Sequence, residues 1–153
     1  MPKIVTADGG IREDHWVVVP HPAEGESLAL PTQPALIPVR LWLAGREHYA
    51  GREDIGVWFD SHEEPEMLAD RVNELPLIAV NFPKFSDGRG YSIARLLRER
   101  FGYRNELRAI GDVLLDQLQF MKRCGFDTYA LRPDKDFSKA ARCLNFFSLA
   151  YQA

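Results

Sequence analysis

Soft metal ligands are scarce in this sequence. Of 153 residues two are cysteine, Cys124 and Cys143, and they form no CxxC pair. Zinc and iron–sulfur centres need several thiolates or imidazoles converging, and two isolated thiols do not supply them. The histidines (His15, His21, His48, His62) all fall in the first 62 residues, and none stands at i, i+4 on a convincing helix. No apolar run approaches the roughly 20 residues of a membrane-spanning helix. The start, Met1-Pro2-Lys3-Ile4, lacks the apolar stretch of a secretory signal, so a cytoplasmic location is expected. No GxSxG, HExxH or GxxxxGK[ST] motif occurs, which leaves no evident covalent nucleophile or P-loop. A pI near 5.8, with no recognised motif, lacks the footprint of a nucleic-acid binder.

What is present is a globular composition: 46% hydrophobic and 27% charged residues. One domain over residues 1–153 is expected, large enough to fold without disulfide or metal staples. Residues 1–54 read as an irregular β-rich part. His15–Val19 and Leu36–Leu43 look like strands, separated by a proline-containing loop, with Pro38 demoting the second run to an edge. From residue 55 strand–helix units repeat. Ile55–Phe59 precedes a helix over Pro65–Leu75, and Leu77–Phe82 precedes one over Tyr91–Phe101 closed by Gly102. Glu106–Ile110 precedes one over Val113–Arg123, which Asp112 would cap and Gly125 would end. Thr128–Leu131 precedes a last helix carrying Ala140, Ala141, Leu144, Phe147 and Ala150. Four such β-α units predict an α/β fold with a mainly parallel sheet, the N-terminal strands adding antiparallel or edge strands. A doubly wound sheet is the first expectation, and half of a (β/α)₈ barrel completed by dimerisation is the alternative.

Both architectures put ligands at the C-terminal ends of the strands. The most informative segment there is Asn81 to Ser92. Gly88 and Gly90 permit close backbone approach, and Lys84 and Arg89 bring positive charge to the start of a helix. Asp87, Tyr91 and Ser92 complete the segment as candidate ligand-binding groups. Gly88-Arg89-Gly90 lacks the third glycine of a dinucleotide fingerprint, and the alternative reading of the segment is a capped turn. Asp112, past the next strand, is placed to pair with Arg89 or Arg132 at the same edge. Residues 84–108 hold seven basic residues against three acids, so this window is +4 within a chain of net charge −3. Such polarity attracts anions or an acidic protein surface.

The runs Asp87-Gly88-Arg89-Gly90-Tyr91-Ser92, Glu106 to Leu114, Asp116-Gln117-Leu118 and Arg123-Cys124-Gly125-Phe126-Asp127 resemble a bacterial domain-of-unknown-function family, DUF934. The resemblance covers roughly residues 55–131. Its members are labelled oxidoreductases involved in sulfite reduction. The resemblance therefore implies a role in sulfur assimilation, with the sulfite reductase hemoprotein as the implied partner. It carries no established catalytic residues. Two cysteines are too few for siroheme–iron–sulfur chemistry. The residues accord best with an accessory protein binding an anionic ligand or the reductase. A small oxidoreductase using a flavin or NADPH is the alternative.

Overall fold

The computed structural model describes residues 2–84 and 88–152, with side chains to residue 145. Among these, eight strands form one sheet: β1 (Lys3–Thr6), β2 (Ile11–Glu13), β3 (Val17–Val18), β4 (Ala35–Pro38), β5 (Ile55–Phe59), β6 (Leu77–Phe82), β7 (Glu106–Gly111) and β8 (Thr128–Tyr129). The helices are α1 (Val39–Ala44), α2 (Arg46–Tyr49), α3 (Arg89–Arg95), α4 (Leu118–Cys124) and α5 (Phe137–Gln152). The spatial order is β2-β1-β8-β7-β6-β5-β4-β3. Strands β3 to β8 are parallel neighbours in chain order, and the β1–β2 hairpin adds antiparallel to β8.

This order corrects the first expectation. A doubly wound sheet reverses direction at a switch point, and here it never does. Successive right-handed crossovers all step the same way, so the helices gather on one face. The result is the curled half-barrel. Chain length shows how far it curls. Seven inter-strand steps separate β2 from β3, about 33 Å in a flat sheet. Yet only Asp14, His15 and Trp16 connect the two strands, and four residue steps reach at most about 14 Å. The sheet edges are therefore drawn together, and the chain itself bridges the gap.

The two faces carry different cores. Toward the helices, Val57, Phe59, Ile78, Val80, Phe82, Leu107 and Tyr129 pack with Trp42, Leu97, Met121 and Leu144. The opposite, inner face holds Leu36, Trp58, Leu77, Ala79 and Ile110, covered by the bridging Trp16. The Trp58 indole N–H donates to the Val19 carbonyl at 2.9 Å, and the His21 ring meets the Trp58 ring edge-on at 5.3 Å.

Several local expectations also shift. Leu36–Leu43 is not one strand: it divides at Pro38, after which Val39 and Trp42 both bury, the spacing of a helical face. Pro38 ends a strand flanked on both sides, so β4 is not an edge. The expected Pro65–Leu75 helix is two 3₁₀ segments, Pro65–Met67 and Ala69–Glu74, parted at Leu68, and the second opens with Ala69 at φ 49°. Helix α3 continues as a π turn over Leu96–Arg100. Asp112 caps no helix, because Leu115–Gln117 is a 3₁₀ turn and α4 starts only at Leu118. Gly125 does end α4, at φ 111°. Phe147 and Ala150 lie outside the described side chains.

Candidate functional site

Strands β6 and β7 run in register to Phe82 and Gly111, and the chain leaves both at the same end of the sheet. Gly111 is required there. It adopts φ 87°, and a Cβ would stand 2.5 Å from the Phe82 carbonyl oxygen. This close approach lets the Asp112 N–H donate to that carbonyl at 2.7 Å. The Asp112 carboxylate is thereby held at the strand edge, where Arg132 reaches it at 3.4 Å. Arg132 also lies 3.7 Å from Asp134. The pairing read from sequence as Asp112 with Arg89 or Arg132 is made with Arg132.

Between this edge and helices α3 and α4 lies a cleft of about 280 Å³. Phe82, Pro83, Leu114 and Met121 supply its apolar wall, and Lys84, Gly88, Tyr91, Asp112 and Gln117 its remainder. The Tyr91 hydroxyl donates to Gln117 Oε1 at 3.2 Å. Burial raises the Tyr91 hydroxyl above its ordinary value of 10, and Cys124 and Asp116 add to the effect, so it stays a neutral donor. The ring of Phe82 packs on Tyr91 at 5.1 Å, and Phe120 packs on the far side of Tyr91 at 4.7 Å. Lys84 is exposed and has no hydrogen-bond or ion-pair partner among the described residues.

The predicted residues do not all meet. Lys84, Gly88, Tyr91 and Asp112 share the cleft, with Arg132 behind Asp112. Gly90 is buried in the helix–sheet contact, where a Cβ would come within 2.6 Å of the Phe82 ring. Arg89 and Ser92 face a second cleft of about 310 Å³ with His62, Glu63, Glu64 and Glu66. Asp87 lies outside the described residues. Helix α3 is seven residues long with Gly88 at φ 90° before it, and among the described residues no side chain caps it.

The chain matches, over residues 56–153, the model of a family described as "Bacterial protein of unknown function (DUF934)". It belongs to that family. No curated protein and no solved structure matches it. In this DUF934 protein several of the motif positions quoted from sequence divide between two roles. Gly90, Gly111 and Gly125 are packing glycines, and a Cβ on Gly125 would lie 2.6 Å from Arg98 Cγ. Tyr91, Asp112 and Gln117 instead line the cleft.

The basic window does not form one patch. Arg98 pairs with Asp127 at 2.6 Å, and Arg100 with Glu66 at 3.4 Å. Arg108 is buried on the inner face, 2.7 Å from Asp14 and 2.8 Å from Glu106. The Thr128 hydroxyl joins this group, accepting from Arg108 Nε at 3.2 Å and donating to Glu106 at 2.9 Å. Sequence reading missed this network because alternation marks Arg108 only as the polar face of a strand. It also missed Leu114 and Met121 as cleft walls, since their helical spacing reads as core. Among the described residues no cluster of three or more His, Cys, Asp or Glu could hold a metal, and no helix is long and apolar enough to cross a membrane.

Proposed function

We propose that this DUF934 protein is a non-catalytic binding protein that assists sulfite reduction by holding a small anionic ligand at the ends of β6 and β7. Lys84 carries the reading. It is an ammonium with no acidic partner among the described residues, at the rim of a cleft whose one carboxylate among the described residues, Asp112, is already engaged by Arg132. An anion approaching there gains the lysine without meeting an uncompensated negative charge among the described residues. The sulfur context rests on the family resemblance of residues 55–131. Calorimetric titration with a panel of small anions, sulfite included, tests the reading. At least one should bind the native protein and fail to bind Lys84→Ala. No lysine-dependent binding across the panel would overturn it.

A second reading, docking on the sulfite reductase hemoprotein, is favoured by two exposed apolar side chains beside the cleft. Leu114 is 41% and Phe120 39% exposed, and the Arg95 guanidinium stands 5.6 Å over the Phe120 ring. Phenylalanine and arginine are both enriched at protein contacts. Copurification with the hemoprotein at low salt, lost in Phe120→Ser, is the expected result. Its absence at low salt would argue against this partner.

A further inference from the structure

We infer that the cleft between β6, β7 and the helices takes a compact organic anion, with an apolar body as well as an anionic head, in preference to a bare inorganic oxyanion. The inference rests on the anion-binding reading above and narrows the ligand class.

Three features of the wall carry it. First, among the described residues one cation alone serves the head. Sites for small oxyanions converge several donors on one point, because a strongly hydrated ion must recover the hydrogen bonds it leaves in water. Here Arg132 is occupied by Asp112 and Asp134, and the Tyr91 hydroxyl is spent on Gln117. Second, the remaining wall is apolar and firmly built. Phe82 and Met121 are core side chains at 2% and 1% exposure, yet both border the cleft. Leu114 stands at its side, 41% exposed. Phe82 and Met121, already out of water, form a fixed floor, and an occupant with an apolar body would bury the accessible surface of Leu114 and Pro83 above it.

Third, the polar groups suit one orientation. Tyr91 occupies Gln117 Oε1, and the Gln117 amide nitrogen makes no hydrogen bond among the described residues. Lys84 and this amide are both donors, matching a carboxylate or sulfonate head rather than a cationic one. A cleft of about 280 Å³ lies just below the range of pockets for drug-sized ligands, so the body is of single-ring size.

Benzenesulfonate, its neutral analogue benzenesulfonamide, and inorganic sulfate serve as probes in calorimetric titration of the full chain. Benzenesulfonate is expected to bind at least about tenfold more tightly than either, and to lose about tenfold in Lys84→Met, the scale of one charge-assisted contact. Leu114→Ser should weaken benzenesulfonate and leave sulfate unchanged. Both replaced side chains are exposed, so both variants should keep the native urea midpoint. Equal, Lys84-dependent binding of sulfate and benzenesulfonate would overturn the inference and leave the anion reading standing. Equal binding of the sulfonamide and the sulfonate, insensitive to Lys84, would overturn both.

Discussion

Asp14 and Arg108, 94 positions apart, form a 2.7 Å ion pair with side-chain exposures of 12% and 3%. The pair ties the three-residue bridge between sheet edges to the middle of the sheet. Arg108 sits between two carboxylates, so its charge is compensated where water cannot do so. Removing one partner of a buried pair costs about 3–5 kcal/mol. Glu106 remains beside Arg108 in Asp14→Ala, which places that variant near about 3 kcal/mol. Urea unfolding followed by circular dichroism should show it. A loss below about 1 kcal/mol would mean that the bridge is held by Trp16 and Val19 alone.

Glu106 makes the same network sensitive to acid. Burial would raise its carboxyl, but Arg108, Thr128 and Arg12 outweigh that and hold it below its ordinary value of 4.5. A carboxyl lowered in the folded state stabilises fully above its unfolded value, and the contribution is lost as pH falls through the folded value. Stability should therefore decline below about pH 4.5, and Glu106→Gln should flatten part of that decline. Parallel acid limbs in the two proteins would exclude Glu106 as a source.

Two glycines near the cleft should respond differently to alanine. At Gly111 the added methyl meets backbone, the Phe82 carbonyl at 2.5 Å, and φ is 87°. Strain and overpacking together should cost about 3 kcal/mol or more. At Gly90 it meets the Phe82 ring at 2.6 Å, and φ is not in the left-handed region. That ring can shift, so about 1–2 kcal/mol is expected. Denaturation midpoints should rank Gly111→Ala below Gly90→Ala, and the reverse order would contradict the backbone argument.

The Trp58 indole N–H finds its acceptor in the bridge side of the chain, at Val19. Trp58→Phe keeps most of the ring volume and strands the Val19 carbonyl. A loss of about 1–2 kcal/mol is expected. Faster amide exchange at Val17 and Val19, whose N–H groups donate to Pro34 and Leu36, should accompany it, since β3 is held by few other contacts. Unchanged exchange there would show that the hydrogen bond does not anchor the strand.

Much of the α/β layout was legible in the residues because burial follows periodicity. Leu77–Phe82 is apolar at almost every position, as a strand covered on both faces must be, and the helix stop at Gly125 follows from its left-handed φ. Lys84, Gly88, Tyr91 and Asp112 were legible as neighbours because all follow parallel strands that end at one edge. Arg89 and Ser92 line the neighbouring cleft instead, for a local reason. Successive residues of a helix point about 100° apart, so Arg89 turns to a different cleft from Gly88 and Tyr91.

By itself, the sequence determined the class of elements, the buried strands and the edge at which Lys84, Gly88, Tyr91 and Asp112 gather, since these depend on spacing within short windows. The tertiary structure alone decided the strand order, the closeness of the sheet edges and the burial of Arg108. Each depends on contacts between distant residues. A parallel strand of given composition can lie on either side of its predecessor, and only packing of all the crossovers on one face chose between a sheet that reverses and one that curls.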